Sequence, residues 1–164
     1  MLKVKIAYDQ DTENPNADED YIKVYSFCTR HVNFMHPDEV PTDAMVIPLS
    51  YYEHGLCLWK LKDDANGYPF DCPWDSVPCA GVMVLPEEFK DLSAEEVKTR
   101  ARAWIEYYTQ WCNGECYYFT VEDEDGVLDS CGGFVGTYGL KEEIESIIKG
   151  QGYEVSGEAA WIME

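Results

Sequence analysis

The sequence predicts an α+β fold: one domain over residues 1–164, with a mainly antiparallel sheet and two helices packed on one of its faces. Several short segments alternate apolar with polar residues, which is typical of half-buried strands. Two other segments repeat apolar residues at helical spacing. The predicted order is strands, helix, hairpin, helix and strand, and such grouping favours an antiparallel sheet over a parallel one.

The first half of the chain is predicted to be rich in strands. Apolar, β-rich segments indicate five of them, at residues 2–8, 21–27, 44–52, 56–61 and 80–85. Acidic and proline-containing stretches separate these segments and predict solvated loops, above all at residues 9–20.

The second half contains both predicted helices. Ser93 and Glu96 form a capping box, and an apolar stripe follows over residues 97–111. Gly114 stands where a helix end favours a left-handed residue. A hairpin with its turn at Asp125-Gly126 comes next, then a helix over residues 140–150 and a last strand near 160–163.

Composition restricts the classes of partner. The 46% hydrophobic content and the 12 Tyr, 5 Trp and 6 Phe supply a core and argue against disorder. The net charge of −20 repels nucleic acid and anionic membranes and attracts basic partners or cations. No stretch approaches the roughly 20 apolar residues of a membrane span, and an acid at position 9 interrupts any signal peptide. The odd number of cysteines, 7, favours free thiols and a cytosolic location.

Two kinds of metal site are weakly indicated. Cys112 and Cys116 have nearly the spacing of a zinc-binding pair, although any further ligands would stand at arbitrary spacing. Residues 9–20 place acids as a calcium loop does, but Asn14 replaces the turn glycine and Pro15 follows it. We therefore expect no metal or other cofactor.

Thiol catalysis is the remaining chemical alternative. Cys72 could combine with His54 and Asp75, or Cys131 with His31 or His36. An acidic environment raises the pKa of a thiol, and no nucleophile elbow, phosphate loop or zinc-protease motif is present. The sequence thus predicts a protein that is not an enzyme.

Several segments stand out: Tyr-Tyr-Glu-His-Gly at 51–55, Cys-Pro-Trp-Asp-Ser at 72–76, Ala-Gly at 80–81, Val-Glu-Asp-Glu-Asp-Gly at 121–126 and Asp-Ser-Cys-Gly-Gly-Phe at 129–134. Together they resemble an uncharacterised family of small acidic bacteriophage and mobile-element proteins. The resemblance covers roughly residues 45–136, and relatives typically have Trp where this chain has Gly132. It implies a setting in the host cytoplasm, where small acidic proteins often inhibit host defence, and it supplies no catalytic residues.

Acidity and resemblance together predict a protein that binds a basic, nucleic-acid-binding surface of a host protein, such as a restriction or CRISPR effector, by imitating DNA. An even spread of the charge would be about four times more dilute than that of DNA, so the acids must cluster. The expected partner-binding residues lie in the 9–20 loop and the hairpin tip: Asp9, Asp11, Glu13, Asp18, Glu19, Asp20, Glu122, Asp123, Glu124 and Asp125.

Two alternative functions remain open at this stage. One is a metal-binding protein or small metal-dependent hydrolase. The other is a phage accessory or structural protein without a role against host defence.

Overall fold

The computed structural model describes residues 1–157 and 160–164. Within these ranges the chain forms two α-helices and eight strands in two mostly antiparallel sheets, which confirms the α+β class. The helices are α1 (Ala94–Cys112) and α2 (Leu140–Gly150). The strands are β1 (Lys3–Tyr8), β2 (Lys23–Ser26), β3 (Met45–His54), β4 (Leu56–Leu61), β5 (Ser76–Leu85), β6 (Cys116–Glu122), β7 (Val127–Val135) and β8 (Trp161–Met163).

The strands build two sheets where the sequence predicts one. The chain divides into two compact units: unit 1 is Met1–Glu13 with Gly114–Glu164, and unit 2 is Asn14–Asn113. The sheet of unit 1 has the order β7-β6-β1-β8, and that of unit 2 has the order β2-β5-β3-β4. Each unit has its own core and one α-helix, because β1 pairs with the distant β6 and β8 and not with its neighbour β2.

Unit 1 buries one face of its sheet together with α2. Val4 and Ile6 of β1 are buried, as their alternation predicts, and they belong to a core cluster with Phe119 and Ile144. Tyr8, expected on the same face, is 61% exposed, and its ring stacks on that of Tyr117 with centroids 5.2 Å apart. The short β8 pairs with β1 in parallel.

Unit 2 buries the apolar stripe of α1. Val97, Ala101, Ile105 and Tyr108 are buried at the predicted spacing and belong to one core cluster with residues of the unit 2 sheet. The apolar run at residues 80–85 forms the second half of β5, and Met83 there is fully buried.

The predicted ends of α1 are confirmed. Ser93 Oγ accepts a hydrogen bond from the Glu96 N–H at 3.2 Å, and the Glu96 carboxylate accepts one from the Ser93 N–H at 2.9 Å. At the other end Asn113 is the C-cap residue and Gly114 has a φ of 72°, a left-handed conformation that glycine adopts readily. The reciprocal bonds between Ser93 and Glu96 satisfy amide groups that the start of a helix otherwise leaves unpaired.

No helix among the described residues is long and apolar enough to cross a membrane.

We expect Ser93→Ala to reduce the free energy of unfolding by about 1 kcal/mol, because the first turn of α1 loses its side-chain acceptor. Ser146→Ala is the matched control, since Ser146 is exposed in the interior of α2. Urea denaturation followed by circular dichroism measures both variants. Equal losses in the two variants would contradict a capping role for Ser93.

Candidate functional site

The tip of the β6–β7 hairpin carries four of the predicted acids, and two of them have structural roles. Glu122 Oε2 lies 2.7 Å from Lys5 Nζ, an ion pair between neighbouring strands. Asp123 Oδ1 accepts hydrogen bonds from the N–H groups of Asp125 and Gly126, which shapes the turn. Glu124 and Asp125 are exposed at the tip.

Asp9 lies in a niche made by the paired glycines of β7. Its Oδ2 accepts a hydrogen bond from the Gly133 N–H at 2.9 Å, and its Oδ1 accepts one from the Asp11 N–H at 2.9 Å. A Cβ at Gly132 would lie only 2.6 Å from Asp9 Oδ2, so the missing side chain makes room for the carboxylate. Burial acts to raise the pKa of Asp9, but these hydrogen bonds and one from Thr12 outweigh it and lower the pKa.

The ten predicted partner-binding residues therefore fall into two classes. Four are structural: Asp9, Glu122 and Asp123 as described, and Asp18, whose Oδ1 accepts a hydrogen bond from the Asp20 N–H at 3.1 Å. The other six are exposed, and their carboxylates make no described hydrogen bond; the one described ion pair joins Glu124 to the exposed N-terminal amine at 3.9 Å. We call these six the outward acids: Asp11, Glu13, Glu19, Asp20, Glu124 and Asp125.

The outward acids belong to both units. Asp11, Glu13, Glu124 and Asp125 are in unit 1, whereas Glu19 and Asp20 are in unit 2. The 9–20 loop that carries four of them is not structureless, because Pro15–Ala17 form a 3-10 turn capped by the Asn14 side chain.

Among the described residues, no group of three or more His, Cys, Asp or Glu side chains is placed to hold a metal ion. Asp9, the first position of the calcium-like loop, is bonded to backbone amides. Cys112 lies beside Cys57, and Cys116 is buried.

One of the two predicted thiol–imidazole groups comes together in the structure. Asp75 Oδ2 lies 3.1 Å from His54 Nδ1 and 3.9 Å from Cys72 Sγ. The carboxylate, and not the imidazole, contacts the thiol, so this arrangement supplies no base that would make Cys72 a nucleophile. The other group divides between the units, with Cys131 in unit 1 and both His31 and His36 in unit 2.

Among the clefts of unit 2 are two adjoining ones that the sequence analysis missed. Arg30, His31, Tyr51 and Glu53 line both, so the clefts adjoin along these residues. The first has a volume of about 360 Å³ and the second of about 330 Å³. The first is further lined by aromatic rings and by two thiols, those of Cys57 and Cys112, and the second by Cys28 and Trp74. Trp74 is 90% exposed.

Hydrogen bonds fix the polar groups shared by the clefts. His31 Nδ1 lies 2.7 Å from Ser26 Oγ. The Tyr51 hydroxyl donates a hydrogen bond to Glu53 Oε2 at 3.0 Å. Burial lowers the pKa of His31, which favours the neutral imidazole, and burial with the bond to Glu53 raises the pKa of Tyr51.

Cys28 is the thiol with the most basic surroundings in these clefts. The backbone N–H and then the side chain of Arg30 donate hydrogen bonds to Cys28 Sγ, which lowers the pKa of the thiol although burial opposes it. In the sequence, the only signal for this contact was a cysteine two positions before an arginine. The loop that brings them together cannot be inferred from that spacing.

Comparisons of the chain with protein-family models, curated proteins and solved structures gave no match. The placement of its own charges, thiols and clefts is therefore what bears on its function.

We expect Asp9→Asn to destabilise the protein by about 1 kcal/mol at pH 7, because an amide accepts the backbone hydrogen bonds less well than a carboxylate. The lowered pKa of Asp9 means that its contribution is present above the ordinary aspartate pKa and is lost as the pH falls through its folded value. The difference between variant and wild type in urea denaturation should thus shrink below about pH 4. Asp11→Asn is the control, and an equal effect at that exposed site would contradict the niche.

We expect Arg30→Gln to slow alkylation of Cys28 by iodoacetamide roughly threefold or more near pH 7, because the thiolate loses its cationic donor. Peptide mass spectrometry measures the rate at each cysteine. Alkylation of the exposed Cys131 in unit 1 is the internal control and should not change. An unchanged rate at Cys28 would show that Arg30 does not stabilise this thiolate.

Proposed function

We propose that the chain is a non-enzymatic acidic protein of a bacteriophage or other mobile element. In this proposal it acts in the host cytoplasm by binding the basic, nucleic-acid-binding surface of a host-defence protein, such as a restriction or CRISPR effector. The observation that supports this function best is the set of six outward acids, whose exposed carboxylates have almost no described partners within the chain. The resemblance of residues 72–76 and 121–134 to phage proteins supports the host setting.

The distribution of charge favours unit 1 as the larger contributor. Its 64 residues contain 15 acids and 4 lysines, a net charge of −11. The 100 residues of unit 2 contain 17 acids and 8 basic residues, a net charge of −9. Unit 1 thus carries one net negative charge for about every six residues, and unit 2 one for about every eleven.

The average density of negative charge on the surface is too low to imitate DNA. The accessible surface of 10201 Å² shared by 20 net charges gives about 510 Å² for each. B-DNA presents one charge on roughly 100 Å² of its surface, so the average here is about fivefold too low. Recognition must therefore come from local clusters of acids.

The hairpin tip is such a cluster. Glu124 and Asp125 are adjacent in the sequence, and both are exposed. Lysine and arginine side chains of a partner that are arranged to contact phosphates can contact these two carboxylates.

The proposed mechanism is competition for cations. The outward acids occupy lysines and arginines of the partner, and nucleic acid cannot then use them. Association is fast and weakens with salt, because the contacts are exposed and the attraction acts over a distance that ions screen.

We expect conversion of all six outward acids to Asn or Gln to weaken capture of the partner at least about fivefold. Six exposed pairs at about 0.2–1 kcal/mol each amount to roughly 1–6 kcal/mol of binding free energy. The measurement is retention of nucleic-acid-binding proteins from host lysate on the immobilised chain, quantified by mass spectrometry. Thermal unfolding confirms that the variant is folded.

The matched control removes the same net charge from exposed acids outside the predicted segments: Asp43, Asp63, Glu88, Asp91, Glu95 and Glu106. This variant should retain the partner nearly as well as wild type. Equal loss of binding in both variants would indicate attraction by overall charge alone, and full binding by the first variant would contradict the proposal.

A further inference from the structure

Two cysteines from different elements meet at one wall of the first cleft of unit 2. Cys57 is the second residue of β4, and Cys112 is the last residue of α1. Both line the cleft, and the thiol of Cys112 interacts with that of Cys57. Cys112 is exposed, whereas Cys57 is partly buried. Spacing in the sequence does not indicate this pair, because 54 residues lie between its members.

Asn113 holds the two cysteines together. Its Oδ1 accepts a hydrogen bond from the Cys57 N–H at 2.8 Å, and its Nδ2 donates one to the Cys57 carbonyl at 2.9 Å. One turn earlier in α1, Thr109 Oγ1 accepts a hydrogen bond from the Trp59 N–H at 3.2 Å. Hydrogen bonds thus join β4 to the end of α1 at both Cys57 and Trp59. Because Asn113 directly follows Cys112, its bonds to Cys57 hold the two cysteines near each other.

The surroundings of the pair give its members different roles. The hydrogen bond from Cys112 lowers the pKa of Cys57, although burial and the nearby Glu53 oppose this effect. Asn113 holds Cys57 in place through both of its backbone groups, and the lowered pKa favours its thiolate, so we assign the nucleophilic role to Cys57. Cys112 is adjacent and accessible, which suits the thiol that resolves an oxidised partner.

We propose that Cys57 and Cys112 are an oxidation site that hydrogen peroxide, or another small hydroperoxide, converts to a reversible disulfide. This inference is independent of the function proposed for the outward acids, since it concerns different residues and a different ligand. The cleft gives a small oxidant access to both sulfur atoms.

The reaction proceeds in two steps. The Cys57 thiolate attacks one peroxide oxygen; the S–O bond forms, the O–O bond breaks, and hydroxide leaves and takes up a proton to become water. Cys112 sulfur then attacks the sulfur of the Cys57 sulfenic acid; the S–S bond forms, the S–O bond breaks, and a second water leaves with the thiol proton. The two thiols lose two electrons in total, and peroxide gains them. A dithiol reductant reverses the result by exchange.

The disulfide would link β4 covalently to the end of α1 and close a loop of the chain from residue 57 to residue 112. Such a crosslink restricts the unfolded chain more than the folded one, since the hydrogen bonds of Asn113 already hold the two ends together. We therefore expect oxidation to raise the Tm by roughly 5 °C or more.

The test begins with the reduced wild-type protein. It is treated with hydrogen peroxide, the remaining thiols are alkylated with iodoacetamide, and the protein is digested without reductant for peptide mass spectrometry. We expect the peptides of Cys57 and Cys112 to be recovered joined, with the loss of two hydrogen atoms, and dithiothreitol to restore both thiols. The proposal would be overturned if Cys57 and Cys112 were both recovered as alkylated thiols while the exposed Cys79 and Cys131 were oxidised. Preferential crosslinking of any other pair of cysteines would also overturn it.

Variants then separate the roles of the residues. In Cys112→Ser, dimedone should trap a sulfenic acid at Cys57, and in Cys57→Ser no sulfenic acid should be trapped at Cys112 at a comparable rate. Asn113→Ala should slow formation of the disulfide roughly tenfold, because the thiols lose their fixed alignment. Cys131→Ser is the matched control and should leave the crosslink unchanged. Trapping at Cys112 in place of Cys57 would reverse the assignment and contradict the proposed order of steps.

Discussion

The excess of carboxylates over cations is the constraint on which the surface of this chain depends. With 32 acids and 12 lysines and arginines, most acids cannot have an ion-pair partner. The structure satisfies some of them in other ways, as the backbone amides around Asp9 and Asp123 show. Among the described residues, Glu124 is the one outward acid with such support, from the N-terminal amine 3.9 Å away, and repulsion among the outward acids lowers the stability of the folded chain. A partner that supplies cations relieves this repulsion, which is why we assign the binding function to these acids.

The local structure of the chain was largely predictable from its sequence, but the pairing of its strands was not. The capping box at Ser93 and the stripe that follows it depend on residues within a few positions of one another, so they define α1 correctly. Alternation likewise identifies β1. It carries no information on which strand lies beside β1, and pairing with β6 and β8 produces two sheets where one was expected.

The candidate sites were predictable to a smaller degree for the same reason. Runs of acids indicated where charge is concentrated, but the roles of Asp9 and Glu122 depend on contacts with Gly133 and Lys5, which are remote in sequence. The first cleft of unit 2 and the contact of Cys57 with Cys112 arise from the packing of α1 against β4. No motif marks these features, since each sulfur atom acquires its neighbours only on folding.

The central claim is that the outward acids occupy sites on a partner that otherwise hold phosphates. The most direct measurement is the Kd between this chain and its purified partner over a series of salt concentrations, with short duplex DNA as a competitor. We expect the Kd to rise steeply with salt and the DNA to displace the chain completely, because both ligands use the same cations. A Kd that does not depend on salt, or a stable complex that contains chain, partner and DNA together, would contradict the claim.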